Sequence, residues 1–197
     1  MSNYNKVIIE QKLAYINMYY PYWHNGIIIK NLEELSVESC NNCSETCCER
    51  FPCTFLPSDF GGNLNDKNYV KLILKSGLVS VSRLFQEKTV SFVLRPRHIW
   101  EKSKVKGNYI PLIHNRCILL SHDGCILPRE LRPTEGLLYN CKMNDKLLIY
   151  EIEKSWRPYQ ETLKEIYKEY KNKYLLIPNI TEEKVKEFQK VMMISRY

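Results

Sequence analysis

The chain has 197 residues, 44% hydrophobic and 26% charged, the balance of a folded chain with one core rather than of a disordered one. Its 29 Lys and Arg against 22 Asp and Glu give a net charge of +7 without any run of five or six basic residues, so an acidic partner is permitted but not demanded. The longest apolar runs, such as residues 27–29 and 147–149, fall far short of the roughly 20 residues that span a bilayer, which excludes a membrane-spanning helix.

The first thirty residues interleave Lys6, Glu10 and Lys12 with a Tyr-rich stretch. They hold neither a continuous apolar segment nor a small-residue cleavage site, so a cytosolic chain is expected. Val7, Ile8, Leu13, Ile16 and Met18 mark an amphipathic helix over residues 5–20, stopped by Pro21. Asn25–Gly26 is a turn signal ahead of a short strand at Ile27, Ile28 and Ile29. Residues 40–57 have no periodicity and read as an irregular loop wrapped around something. Asn65 or Asp66 caps a helix carrying Tyr69, Val70, Leu72, Ile73 and Leu74, with Gly77 at the position that closes it. Residues 78–84 alternate as Val79/Ser80/Val81/Ser82, a half-buried strand. A second β-rich run over residues 89–94 ends at Pro96, and the two form a hairpin across residues 85–88. Residues 110–120 are a short apolar stretch broken by Pro111.

The last third is helical. Ile152, Trp156, Tyr159, Leu163, Ile166 and Tyr170 recur at spacings of 4, 3, 4, 3 and 4, and Pro158 either kinks that helix or starts a new one. Thr181 caps a final helix, with Glu182 and Glu183 in its first turn and Val185, Phe188 and Val191 buried. The expected fold class is α+β, with helices at both ends, a short β-hairpin and irregular metal-binding cysteine loops. A single domain spans residues 1–197, with the cysteine region at about 38–143 and the helical C-terminal segment at about 145–193.

Eight cysteines fall in two groups: Cys40, Cys43, Cys47, Cys48 and Cys53, then Cys117, Cys125 and Cys141. Cytosolic thiols stay reduced, so their clustering points to metal rather than to disulfides. The C-x2-C spacing of Cys40 and Cys43 lets two thiolates converge on one ion from one turn. Cys47 and Cys48 are adjacent and their side chains diverge, so they serve different ions or one of them packs; Cys53 too is either a ligand or a small buried hydrophobe. All eight are candidate metal ligands, joining residues 40–53 to 117–141 around bound ions. Neither the C-x3-C-x2-C radical motif nor the bacterial ferredoxin run is present, and the C-x7-C of Cys117 and Cys125 is not a second zinc knuckle.

The order C-x2-C-x3-C-C at Cys40–Cys48, C-x7-C at Cys117–Cys125, Arg132–Pro133 and a last Cys141 resembles the YkgJ-type cysteine-cluster family of zinc- or iron-chelating domains. That family's pattern is C-x2-C-x2-C-C, a C-x-x-L segment, a Gly-Cys segment and R-P-x2-C. Cys117-Ile118-Leu119-Leu120 and Asp123-Gly124-Cys125-Ile126 match its middle. The chain departs from it by one extra residue between Cys43 and Cys47, and by seven residues rather than two between Pro133 and Cys141. In both departures it is similar to the branch that includes the flagellin lysine N-methylases, through Cys43-Ser44-Glu45-Thr46-Cys47-Cys48. Resemblance to that branch implies an iron–sulfur cluster and S-adenosylmethionine-dependent modification of a protein. The residues themselves hold no Gly-rich nucleotide loop, the only close Gly pair being Gly61–Gly62.

Thiolate-rich coordination suits zinc and a [4Fe–4S] cluster alike, and eight thiols from two distant segments exceed what one structural zinc needs, which leans to iron–sulfur. His114 and His122, each three residues before a cysteine, are alternative ligands whose simpler reading is a loop histidine. Arg95, Arg97 and His98 beside Trp100 form a small basic patch, read first as a solvated strand end and second as an anion site. Arg132 is placed to hydrogen-bond loop carbonyls or to offset thiolate charge. Asp59, in Pro57-Ser58-Asp59-Phe60, reads as a capping turn rather than a catalytic acid, and most tyrosines, among them Tyr19, Tyr20 and Tyr22, as packing. No catalytic residue is assigned. The functional expectation is a cytosolic metal-binding protein, redox or accessory to modification of another protein. Its alternatives are a methylase-like enzyme and a zinc module contacting nucleic acid; the expected partners are a protein substrate or a redox partner and no membrane, with nucleic acid the minority class.

Overall fold

A computed structural model describes residues 10, 12–14, 30, 53–86, 89–100, 104–105, 108–109, 115–121, 124–127, 131–138, 146–170 and 181–192. The expected strand at Ile27–Ile29, Cys40, Cys43, Cys47, Cys48, Cys141, His114, His122 and the tyrosines of residues 19–22 lie outside the described residues. Of the first expected helix, residues 10 and 12–14 are described and are helical.

Pro57–Asp59 is a single 3-10 turn. Helix α1 (Lys67–Lys75) starts at Asp66, whose carboxylate accepts the Asn68 N–H at 2.9 Å. It buries Tyr69, Val70, Ile73 and Leu74 on one face while Leu72 stays exposed, and ends at Ser76 before Gly77, which has φ 74°. The N-cap, the helix and its stop are those expected from the sequence.

Strands β1 (Val79–Gln86) and β2 (Thr89–Pro96) pair antiparallel from Val79 opposite Pro96 to Gln86 opposite Thr89, so the expected hairpin forms, with β1 starting one residue later and each strand ending two residues later than expected. On β2, Ser91, Val93 and Leu94 turn into the protein. Helices α3 and α4, described below, pack against this hairpin. Past it the chain makes short antiparallel ladders only: β3 (His98–Trp100) with β6 (Asn115–Cys117), β4 (Lys104–Val105) with β5 (Asn108–Tyr109), and β7 (Leu120–Ser121) with β8 (Gly124–Cys125). Helix α2 is one short piece, Thr134–Leu138.

Helix α3 (Lys146–Trp156) and helix α4 (Gln160–Tyr170) are separated by a 3-10 turn at Arg157–Tyr159. Pro158 therefore starts a new helix, because proline lacks the N–H that a continuous helix needs. The seam runs through both: Ile152, Trp156, Leu163 and Ile166 are buried, Tyr159 and Tyr170 partly so. Helix α5 (Glu182–Met192) is capped by the Thr181 hydroxyl, which accepts the Lys184 N–H at 3.3 Å. Phe188 is buried as expected, but Val185 and Val191 only partly, and Met192 takes the remaining core position. Its last carbonyls are satisfied by Gly61 N–H on Met192 at 2.9 Å and by the Tyr69 hydroxyl on Val191 at 3.2 Å.

The core joins these pieces through aromatic rings. Phe55 lies 5.1 Å from Phe60 and 6.2 Å from Phe188 between ring centroids, and Phe60 lies 6.5 Å from Trp156. Trp156 Nε1 donates to the Phe55 carbonyl at 2.8 Å, which ties the segment that follows Cys53 to α3. Together the helices and the antiparallel hairpin make an α+β fold. No helix among the described residues is long and apolar enough to cross a membrane.

Candidate functional site

Three of the eight candidate ligands, Cys53, Cys117 and Cys125, lie in the described residues, and all three carry thiols. Cys117 ends β6, opposite His98 in β3, and is buried. Cys125 ends β8, opposite Leu120, and is half-buried. The Ile118 N–H donates to the Arg97 carbonyl at 2.8 Å, which prolongs the β3/β6 ladder past Cys117, and the Ile126 N–H donates to the Leu119 carbonyl at 2.9 Å, which prolongs the β7/β8 ladder past Cys125. Cys53 opens the extended segment whose Phe55 N–H donates to Leu94 O at 3.0 Å along the outer edge of β2.

Residues 131–138 make contacts with both Cys53 and Cys125. Arg132 Nε donates to the Leu127 carbonyl at 2.9 Å and its Nη2 to the Cys125 carbonyl at 3.4 Å, the loop-carbonyl role expected of it. Four residues on, Gly136 in α2 sits so close to Cys53 that a Cβ there would lie 3.0 Å from Cys53 Sγ. Glu135 accepts the Thr54 N–H, and Arg95 Nε donates to Thr54 Oγ1 at 3.0 Å. One short stretch thus touches the neighbourhood of Cys53 and of Cys125 at once.

Burial dominates the electrostatics here. It pushes the Cys125 thiol up, against the Leu127 backbone and the Arg132 charge that pull it down. It also raises the Glu135 carboxyl and lowers the Arg95 guanidinium, although Glu135 and Cys53 act on Arg95 in the opposite sense. Arg95 corrects the expectation of a solvated strand end: it reaches inward to Thr54 and faces Glu135, because Thr54 and α2 cover that end of β2.

Asp59 is a capping turn, as expected, and more than that. Its Oδ2 accepts the Leu56 N–H and the Thr134 N–H, each at 2.9 Å, and its Oδ1 accepts the Thr134 hydroxyl. Lys12 Nζ lies 3.1 Å from Oδ1, and neither Lys12 nor Asp59 has exposed side-chain surface. Lys12 also donates to the Arg132 carbonyl. In sequence Lys12 is one charge within a Tyr-rich stretch, and no local pattern marks its partners, 47 and 120 residues away.

Among the described residues, no three of His, Cys, Asp and Glu converge as metal ligands. No family model, curated protein or solved structure matches the chain.

Proposed function

We propose that this chain is a metal-binding protein whose clustered cysteine thiolates hold an iron–sulfur cluster or zinc, in a redox role or as an accessory to modification of another protein. The observation that supports the reading is that residues 132–136 touch one described cysteine from each group: Cys53 lies against Gly136, and the Cys125 carbonyl accepts from Arg132. Cysteines far apart in sequence must be brought to one region before they can coordinate one ion, and a common neighbour in residues 132–136 favours that for Cys53 and Cys125. The chemistry of the donors also fits. Soft thiolates select zinc and iron–sulfur clusters, and each carries a negative charge that a nearby cation offsets. Arg95 acts on Cys53 and Arg132 on Cys125 in that sense.

Cys40, Cys43, Cys47, Cys48, Cys53, Cys117, Cys125 and Cys141 are the proposed ligands. Zinc would brace the chain, whereas a cluster would in addition exchange electrons. Anaerobically purified chain should contain stoichiometric iron with acid-labile sulfide, or stoichiometric zinc, and replacement of Cys43 or Cys125 by Ser should lower that content. A wild-type preparation with neither metal nor sulfide, and no uptake on reconstitution, overturns the reading.

A further inference from the structure

Helix α2 has five residues, too few to persist on its own hydrogen bonds, so its attachments decide whether it stays in place. Among the described residues those attachments are mainly polar. Asp59 holds the N–H and the hydroxyl of Thr134, Glu135 accepts the Thr54 N–H, and Gly136 lies against Cys53. Lys12 completes the hold from the other side of Pro133, through the Arg132 carbonyl and Asp59 Oδ1. Lys12, Asp59 and Thr134 have no exposed surface, whereas Leu137 of α2 is only partly buried. Helices α3, α4 and α5 are seated differently, through the buried apolar side chains of Ile152, Trp156, Leu163, Ile166 and Phe188.

The closed arrangement also keeps charge out of water. The Lys12 ammonium and the Asp59 carboxylate are fully buried, and burial works against the charged forms of Glu135 and Arg95, which meet at Thr54. Desolvation offsets most of the attraction within such buried pairs, and opening returns the groups to water. A segment held in this way opens at lower cost than helices seated on apolar side chains. We propose that α2 is a lid over Cys53, Thr54 and Arg95, latched by the Lys12–Asp59 pair through Thr134, and that it opens as a unit while the main hairpin and helices α3 to α5 stay folded. Opening uncovers the Cys53 thiol and the Arg95 guanidinium together, so Lys12 governs access to that end of β2. The inference stands whether or not the cysteines bind metal.

The test is residue-resolved amide hydrogen exchange on the full, reduced chain. The Thr54, Thr134 and Leu137 N–H groups report the lid, because their acceptors are Glu135, Asp59 and the Pro133 carbonyl. Amides of the β1/β2 ladder report unfolding of the whole chain. In wild type the three lid amides should share one opening constant, about 100-fold above that of the ladder. Ile166→Val trims a buried side chain of α4 away from the lid; it should speed the ladder by about 2–10-fold and leave the lid amides unchanged. Lys12→Met and Thr134→Val each remove a partner of the buried Asp59 carboxylate and should speed the lid amides by about 10–100-fold. Thr134→Val removes one hydroxyl and decides the matter if Lys12→Met does not fold. Lid amides that exchange no faster than the ladder, and speed up with it in Ile166→Val, overturn the separate opening. Wild-type lid exchange in Thr134→Val, and in Lys12→Met where it folds, overturns the latch.

Discussion

Asp59 spends all its acceptor capacity inside the protein: two backbone N–H groups, one hydroxyl and one ammonium fill the roughly four lone-pair sites of a carboxylate. That arrangement leaves no oxygen for a substrate, which is why the residue is read as structural. It also makes the position sensitive. Asp59→Ala strands a buried ammonium and orphans three donors, so it should cost about 3–5 kcal/mol in urea unfolding. A loss below about 1 kcal/mol would mean that Lys12 reaches water easily. Trp156 offers a second single-residue measure. Its indole N–H meets the Phe55 carbonyl in the core, and Trp156→Phe keeps the ring contacts while leaving that carbonyl unsatisfied. The expected cost is about 1–3 kcal/mol, read in the same urea titration; an unchanged midpoint would show the hydrogen bond to be dispensable.

Among the elements, the main hairpin depends on how its outer edge is closed, since an open strand edge recruits other chains. Gln160, the first residue of α4, closes it as a third strand would: its Oε1 accepts the Phe92 N–H at 2.7 Å and its Nε2 donates to the Phe92 carbonyl at 2.9 Å. Phe55 takes the next edge carbonyl, Leu94, and Glu153 of α3 accepts the Ser91 hydroxyl at 2.6 Å. Gln160→Leu should therefore cost about 2 kcal/mol, two net hydrogen bonds, and should raise light scattering on mild heating. A monomeric variant of wild-type melting temperature would refute that account of the edge. These elements differ in how much the sequence announced them. Helix α1 has a capping Asp66, a 3.6-residue apolar pattern and a terminal glycine, and the hairpin has clean alternation, so each was legible. The seam across Pro158 is legible as well, but a proline at that position is equally compatible with a kink and with a restart. The ladders from β3 to β8 are two or three residues long, too short for any periodicity, and α2 has only five residues. Gln160 could not be picked out, because its role lies in the backbone of Phe92, 68 residues away.

For the molecule as a whole, the division between legible and illegible follows sequence distance. The cysteine grouping, the capping role of Asp59 and the carbonyl-binding role of Arg132 are local or motif-borne and could be read directly. What fixes the surroundings of Cys53 and residues 132–136 is non-local: the Lys12–Asp59 pair, the Glu135–Thr54 bond and the approach of Gly136 to Cys53 each join segments far apart in the chain. A metal held by both cysteine groups would close those same long loops, so binding and folding should be coupled. At a free metal concentration about a thousand times the dissociation constant, linkage supplies about 4 kcal/mol of stability. For a chain of this size each 1 kcal/mol moves the melting temperature by roughly 2–4 °C. Removal of the metal by a strong chelator under reducing, anaerobic conditions should accordingly lower the calorimetric melting temperature by about 8–16 °C, and readdition should restore it. A chain that demonstrably loses its metal yet melts at the same temperature would place the metal outside the folding unit.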